Sequence, residues 1–214
     1  MIALIDYGSG NLRSVLNALR HVGADASLVS QREQLAQADA VVLPGVGAFG
    51  DCARGLRSRG LWEPLEEWLQ SSKPFLGICV GYQLLFEQSE ESDGVRGFGH
   101  FAGSVKRFRT PELKVPQIGW NRLALTDPAT PLWRGLPESP HVYFVHSYFP
   151  VPEDRSIVSA WTNYGETFAA AVAQGNVAAV QFHPEKSQAV GLKLLSNFVH
   201  SLGAGQRQPS AAEA

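Results

Sequence analysis

The sequence has 214 residues and a formal net charge of −2, with 44% hydrophobic and 18% charged residues. These values suit one α/β domain with a sizeable core, and they exclude a disordered chain and a basic surface for nucleic acid. The chain has two cysteines, no apolar run of about 18 residues and no basic signal-peptide start, so we expect a reduced, cytoplasmic setting without a membrane span.

The first half of the chain alternates short apolar runs with helical patterns. The predicted strands are Ile2–Asp6, Ala26–Val29, Ala40–Leu43 and Pro74–Ile78, and the predicted helices are Asn11–Val22, Glu33–Ala38 and Leu61–Gln70. Strands that alternate with helices predict parallel βαβ units and therefore an α/β fold with a mostly parallel central sheet flanked by helices.

The second half contains short strands separated by Gly, Pro and Asn, which predict additional antiparallel strands packed beside the parallel core. These strands are Gly103–Phe108, Gln117–Leu125, Val142–Tyr148, Ser156–Trp161, Thr167–Ala173 and Ala178–Phe182. Ser187–Leu202 is predicted to be a closing helix. We predict one domain over residues 1–203 and a flexible tail over residues 204–214, because "AGQRQPSAAEA" has no apolar face.

The stretch "GICVG", Gly77–Gly81, places a cysteine between two glycines where a predicted strand ends. A sharp turn from strand to helix lifts its central residue clear of the sheet, and bulky residues two positions away would collide. A helix that starts at the thiol also favours the reactive thiolate through its dipole. We therefore predict that Cys79 is a nucleophile, against the alternative of a small buried hydrophobic residue. Cys52 lacks this setting, and we expect it to be structural.

A cysteine nucleophile needs a base and a group that orients the base. In "AVQFHPEKS" a predicted strand ends at His183, and Pro184 favours an extended conformation there. Glu185 is then close enough to bond one imidazole nitrogen while the other faces the thiol. A lone histidine is more often structural, but the pairing with an elbow cysteine favours His183 as the base. His146, in "YFVHSY", is the reserve candidate.

Acyl chemistry also needs donors for the developing oxyanion. One candidate is the N–H of Val80, just after the nucleophile, and the second comes from the glycine-rich loop "PGVGAFG", Pro44–Gly50. This loop could also be a simple strand-to-helix turn or a phosphate cradle, although no Lys-Ser/Thr pair follows it as in a P-loop. The six histidines have no metal-ligand spacing, and we expect neither a metal nor a cofactor.

Three motifs, the Pro-Gly-x-Gly loop, Gly-Ile-Cys-x-Gly-x-Gln and His-Pro-Glu, resemble in this order the class I (triad) glutamine amidotransferases over nearly the whole chain. Within that family, five stretches resemble the glutaminase subunits of imidazole glycerol phosphate synthase, an enzyme of histidine biosynthesis. The stretches are "DYGSGNLRSV" (Asp6–Val15), "PGVGAFGD" (Pro44–Asp51), "PQIGWN" (Pro116–Asn121), "YFVHSY" (Tyr143–Tyr148) and "FHPEKS" (Phe182–Ser187).

The resemblance implies that glutamine is hydrolysed to glutamate and that the ammonia passes to a cyclase subunit. It also implies roles for particular residues: a catalytic triad of Cys79, His183 and Glu185, a glutamine contact at Gln83, and an oxyanion loop at Val46 and Gly47. A chain of this length with one amidase site has no second domain to consume ammonia, which favours a heterodimer with the cyclase.

We expect the partner to dock over the mouth of the site, at Asp6–Asn11 and at Lys186–Ser187, because both stretches follow predicted strands at one edge of the sheet. Asn11 and Lys186 are the candidate contacts, although a lysine is more often a solvated surface charge. The sequence leaves open the glutaminase subunit of anthranilate or aminodeoxychorismate synthase, a cysteine peptidase or γ-glutamyl hydrolase, and a catalytically dead binding module.

Overall fold

The computed structural model describes residues 1–126 and 130–204. Of the predicted tail, only Ala204 is described, as the last residue of the closing helix, and 205–214 lie outside the described residues. The division into one domain and a tail therefore stays a prediction. Across the described part of the chain, no helix is long and apolar enough to cross a membrane.

The regular elements are six helices and thirteen strands within the described residues. The helices are α1 (Leu12–His21), α2 (Arg32–Leu35), α3 (Phe49–Ser58), α4 (Trp62–Leu69), α5 (Val80–Gln83) and α6 (Gln188–Ala204). The strands are β1 (Ile2–Ile5), β2 (Ala26–Val29), β3 (Ala40–Leu43), β4 (Phe75–Ile78), β5 (Gln88–Ser89), β6 (Gly103–Arg107), β7 (Gln117–Arg122), β8 (Ala124–Leu125), β9 (His141–His146), β10 (Tyr148–Pro152), β11 (Val158–Tyr164), β12 (Glu166–Gln174) and β13 (Val177–Val180).

The centre of the molecule is an eight-stranded sheet in the order β2-β1-β3-β4-β13-β12-β11-β8. The strands from β2 to β13 pair in parallel, and β12, β11 and β8 continue the sheet in antiparallel fashion. Every residue of β1, β3 and β4 is buried, as expected for strands covered on both faces. The predicted α/β class with a mostly parallel sheet and added antiparallel strands is confirmed.

The position of β13 differs from the prediction. We expected this segment among antiparallel strands beside the parallel core, but it pairs in parallel with β4 inside the main sheet, with Val180 opposite Ile78. It is at the same time antiparallel to β12, through a turn at Gly175 and Asn176. A four-residue apolar strand carries no sequence signal for its partners. This pairing determines the position of the candidate site, because the residues that follow β13 and β4 then lie at the same edge of the sheet.

The two smaller sheets are β10-β6-β5 and the β7-β9 hairpin-like pair. Where we predicted a single strand over Gln117–Leu125, the chain forms β7 and β8 on either side of Leu123. The predicted strand Val142–Tyr148 ends at His146, and the proline-containing β10 begins at Tyr148. β9 packs onto the end of the main sheet, since the N–H of His183 donates to the carbonyl of Tyr143 at 2.9 Å.

Helix α3 is absent from the prediction, although its sequence carries a helical signal. Its buried residues Phe49, Cys52, Ala53 and Leu56 follow the spacing of one helix face. Gly50 and Gly55 are poor helix formers, and with the charged residues between them they weaken the helical pattern in the sequence. α3 follows the Pro44–Gly50 loop and places Cys52 beneath it, so the helix supports the candidate oxyanion loop.

Candidate active site

Cys79 stands at a strained turn between β4 and α5. Its backbone has φ 55° and ψ −109°, a positive φ that is uncommon outside glycine. A Cβ on Gly81 would lie 1.9 Å from the carbonyl oxygen of Leu43, and a Cβ on Gly77 would lie 2.9 Å from that of Gly81. Both flanking glycines are therefore required by close backbone approach, and the geometry is that of a nucleophile elbow.

The helix after the cysteine is much shorter than the sequence pattern suggests. α5 has four residues, Val80–Gln83, and the chain then turns towards β5. One helical turn sums few peptide dipoles, so the helix N-terminus contributes little to a negative charge on the sulfur. Any stabilisation of a thiolate at Cys79 therefore depends mainly on the side chains around it.

His183 lies just beyond β13, beside the elbow that follows β4. Its Nδ1 is 2.8 Å from Oε1 of Glu185, and both side chains are buried, with 3% and 1% exposure. The backbone of His183 is extended, with φ −100° and ψ 99°, as expected for a residue before proline. The hydroxyl of Ser187 donates to the carbonyl of His183 at 2.7 Å and accepts from the N–H of Tyr143 at 3.0 Å, which ties this segment to β9.

The charges around His183 favour its cationic form. Burial lowers the pKa of His183, but interactions with the Cys79 thiol and the Glu185 carboxylate outweigh burial and raise that pKa to about 10. The Nε2 atom of His183 is buried. Among the described residues, the Cys79 side chain is the group with which it can interact. An imidazolium beside the sulfur favours the thiolate, which is the nucleophilic form.

The loop after β3 covers the elbow. The N–H of Val80 donates to the carbonyl of Gly45 at 3.4 Å, so one candidate oxyanion donor faces the loop itself. The Tyr7 hydroxyl donates to the carbonyl of Pro44 at 2.8 Å, and the Ser9 hydroxyl donates to the carbonyl of Val46. The peptides on either side of the Gly45–Val46 peptide are thus anchored, while that central peptide is held by the weak contact to Val80.

A cavity of about 380 Å³ opens above the sulfur. The predicted site residues that line it are Val46, Gly47, Cys79, Val80, Gln83, His183 and Lys186, together with the reserve candidate base His146. Glu185 stands behind His183. Asn11 lies outside the cavity lining, at the start of α1.

The sequence reasoning did not identify Glu91, which also lines the cavity. Its Oε2 accepts from the N–H of Phe49 at 2.7 Å. Burial raises the pKa of Glu91, and the bond from Phe49 partly offsets that effect. No local motif marks this carboxylate, because a turn after β5 brings it to the site from outside the main sheet.

A family model described as glutamine amidotransferase class-I matches residues 3–202. The chain belongs to the class I glutamine amidotransferase family. It is 54% identical over 200 residues to the imidazole glycerol phosphate synthase subunit HisH of Thermosynechococcus vestitus, covering 92% of this chain and 95% of the relative. It is 49% identical to the subunit of the same name from Synechococcus sp., covering 98% and 97%.

Solved structures agree with this assignment of the fold. A crystal structure of a glutamine amidotransferase superposes with a TM-score of 0.74 at 21% identity, covering 95% of this chain and all of the other. The match to the family model confirms the family resemblance that the three sequence motifs indicated.

This amidotransferase also has a larger cavity, of about 700 Å³, at the amino ends of β3, β4 and β13. Its lining includes Asp39, Lys73 and Asn176, and it contains neither cysteine nor histidine. Volume alone therefore does not identify the reactive site. The smaller cavity is the candidate active site, because Cys79 and His183 meet there.

Proposed function

We propose that this chain is the glutaminase subunit of an imidazole glycerol phosphate synthase. It hydrolyses glutamine to glutamate and ammonia, and a cyclase subunit uses the ammonia to form imidazole glycerol phosphate and aminoimidazole carboxamide ribotide in histidine biosynthesis. The observation that carries the reaction is the buried His183–Glu185 pair beside a cysteine with positive φ. The names of the relatives, at about half identity over nearly the whole chain, support the pathway.

In the first half-reaction the Cys79 thiolate attacks the side-chain amide carbon of glutamine, and a C–S bond forms. The imidazolium of His183 gives the proton on Nε2 to the amide nitrogen. The C–N bond breaks, ammonia leaves, and a thioester remains on Cys79. Glu185 keeps Nδ1 of His183 protonated and oriented and stabilises the cation that starts the step.

In the second half-reaction neutral His183 takes a proton from water, and the hydroxide adds to the thioester carbon. Collapse of this intermediate breaks the C–S bond and releases glutamate. The thiolate and the imidazolium are then restored. The sum is one water consumed, with one glutamate and one ammonia produced for each glutamine.

Two side chains of the cavity suit the glutamine molecule itself. Both N–H groups of Gln83 bond inside the protein, to the carbonyl of Tyr148 at 3.0 Å and to Oε1 of Gln181 at 3.2 Å. Its Oε1 is therefore the group available to accept an N–H from the substrate. The Glu91 carboxylate is suited to bind the α-ammonium group of glutamine, because it is negatively charged when ionised and lines the same cavity as the Cys79 sulfur.

The isolated chain is a poor glutaminase in this proposal. The N–H of Val80 is occupied by the carbonyl of Gly45, and rotation of the Gly45–Val46 peptide would free that donor and turn the N–H of Val46 towards the substrate. This rotation changes ψ of Gly45, where the absence of a Cβ makes the change inexpensive. Gain of an oxyanion donor is worth about 10²–10³-fold in turnover.

The cyclase docks over the mouth of the cavity in this proposal. Lys186 lies there, exposed, with Nζ 5.7 Å from the centre of the Tyr143 ring. Asn11 belongs to a loop at the same sheet edge. Ile118 and Trp120 on β7 are 63% and 48% exposed, and exposed apolar side chains beside a polar rim are typical of an interface. We also propose a cytoplasmic location, in keeping with two free thiols.

The test measures glutamate release by the free chain, by its complex with the cyclase subunit, and by the complex with the cyclase's nucleotide substrate. We expect slow release, then activation by about 10²–10³-fold when nucleotide is bound. The synthase subunits of anthranilate and aminodeoxychorismate synthase serve as control partners. Activation by one of these and not by the cyclase would overturn the proposal, and a free chain at full rate would overturn the coupling.

A further inference from the structure

The side chain of Gln181 lies directly behind the nucleophile and is fully buried. The residue follows β13, and its backbone N–H donates to the carbonyl of Ala170 at 2.8 Å, which fixes the direction of the side chain. Its Nε2 is 3.7 Å from Sγ of Cys79. The mechanism derived above does not use this amide, although it is a donor in contact with the reacting sulfur.

The orientation of the Gln181 amide follows from the chain of hydrogen bonds that runs from the Tyr148 carbonyl through Gln83 to Gln181. The carbonyl of Tyr148 can only accept, so Gln83 must present Nε2 to it. The same Nε2 contacts Gln181, so the Gln181 atom at that contact must be the acceptor Oε1. Nε2 of Gln181 therefore faces the sulfur, and the donor direction is set without reference to Cys79.

We propose that Gln181 is a positioning residue that donates to the Cys79 thiolate and links it to the glutamine contact Gln83. The proposal rests on Cys79 being the glutaminase nucleophile. A buried donor favours the charged form of its acceptor, and the thiolate needs such a donor because α5 has only one turn. An N–H···S contact of 3.7 Å is long, so its effect is smaller than that of the neighbouring imidazolium.

Other groups near the sulfur also influence its charge and stay unchanged in the test. His183, Lys186, His146 and Glu91 line the same cavity as the sulfur. Tyr7 and Cys52 lie behind the elbow and interact with Cys79. The effect of Gln181 is therefore the difference between variants that keep all six of these groups.

The experiment measures the rate of Cys79 alkylation by iodoacetamide against pH in the full-length chain. Adducts are detected by peptide mass mapping, so that alkylation of Cys79 is distinguished from alkylation of Cys52. In Gln181→Met we expect the midpoint of the rate profile to move up by about one pH unit, equivalent to about 1.4 kcal/mol. Asn197→Leu is the matched control, because it removes another buried side-chain amide far from the sulfur, one that bonds the carbonyls of Leu132 and Arg134.

Gln83→Met is the second variant, and it keeps the proposal testable if Gln181→Met does not fold. Loss of Gln83 frees the Gln181 amide to rotate, so the midpoint should move in the same direction by a smaller amount, and the double variant should shift by less than the sum. An unchanged midpoint in the folded variants, or an equal shift in Asn197→Leu, would overturn the inference. Failure of the proposed function would instead appear as glutamine hydrolysis that persists in Cys79→Ala.

Discussion

The two cysteines lie on either side of the same loop and are both free and buried, yet they stand in opposite chemical settings. Cys79 has positive φ and faces His183 and the Gln181 amide. Cys52 lies in α3, where burial raises the pKa of its thiol. Its Sγ contacts the carbonyl of Val46 at 3.6 Å. The two thiols are therefore alike in burial and differ in the groups that they contact.

The two buried histidines, His146 and His183, also differ in the groups that surround them. His183 has the carboxylate of Glu185 and the thiol of Cys79 beside it, and its pKa is raised to about 10 against the effect of burial. His146 packs among the rings of Phe108, Phe144 and Phe168, and burial lowers its pKa to about 3. Its Nδ1 bonds the carbonyl of Tyr148 at 2.9 Å, and the residue lines the cavity above Cys79, so its role as the reserve base stays a prediction.

The largest expected effect is the difference between Cys79→Ala and Cys52→Ala. Cys79→Ala should abolish glutamine-dependent synthesis, a loss of at least about 10⁴-fold, while ammonia-dependent synthesis by the cyclase remains. Cys52→Ala removes a thiol that is not among the described residues lining the cavity, so most of the activity should survive. Both reactions are measured in the complex. Glutamine turnover retained by Cys79→Ala, or lost in Cys52→Ala, would reverse the assignment.

The second effect concerns the members of the triad that surround Cys79. His183→Ala should lower glutaminase turnover by about 10²–10⁴-fold, and Glu185→Ala by less, because Glu185 acts through His183. The measurement is the pH–rate profile of glutamine hydrolysis in the complex, with the fold checked by circular dichroism. His21→Ala, at the exposed end of α1, is the control. An unchanged profile in His183→Ala would exclude proton transfer by this residue.

The elbow and the extended conformation of His183 could be predicted from local patterns, because Gly77 and Gly81 are required by close backbone approach and Pro184 restricts the residue before it. The bounds of β2 and β3 match the prediction residue for residue, because each strand is a short, locally recognisable run. Glu91, Gln181 and the parallel pairing of β13 depend on contacts between distant segments, and no local spacing encodes those. Sequence patterns therefore located the candidate reacting groups, and only the tertiary structure located Glu91 and Gln181 beside them.

The third prediction concerns the loop that separates the two cysteines. Gly47 has φ 97° with open space around its Cα, so Gly47→Ala adds backbone strain without a clash. We expect about a 10²-fold loss of glutaminase turnover in the complex, the lower range for a misplaced oxyanion donor. Gly23→Ala is the matched control, since Gly23 has φ 85°, equally open surroundings and no contact with the site. Equal turnover in the two variants would exclude the loop from catalysis.

The smallest expected effect concerns how His146 and His183 change the free energy of unfolding with pH. The pKa of His146 is lowered to about 3 in the folded state, so between about pH 6.5 and 3 the unfolded chain binds the extra proton. His146 therefore destabilises the fold as the pH falls through this window, by about 1.4 kcal/mol per pH unit. The raised pKa of His183 affects stability on the alkaline side instead. Its stabilising effect is complete below about pH 6.5 and is lost as the pH rises towards 10.

Urea unfolding of the free chain at pH 7 and pH 5 tests this difference. His146→Phe keeps an aromatic ring in the cluster but cannot take up a proton, so its midpoint should fall less between the two pH values than that of the unsubstituted chain. His200→Phe, at an exposed position in α6, should follow the unsubstituted chain. The carboxylates titrate alike in all three proteins, so their contribution cancels in the comparison. An equal fall in His146→Phe would show that His146 does not sense acid, and the contrast with His183 would then rest on catalysis alone.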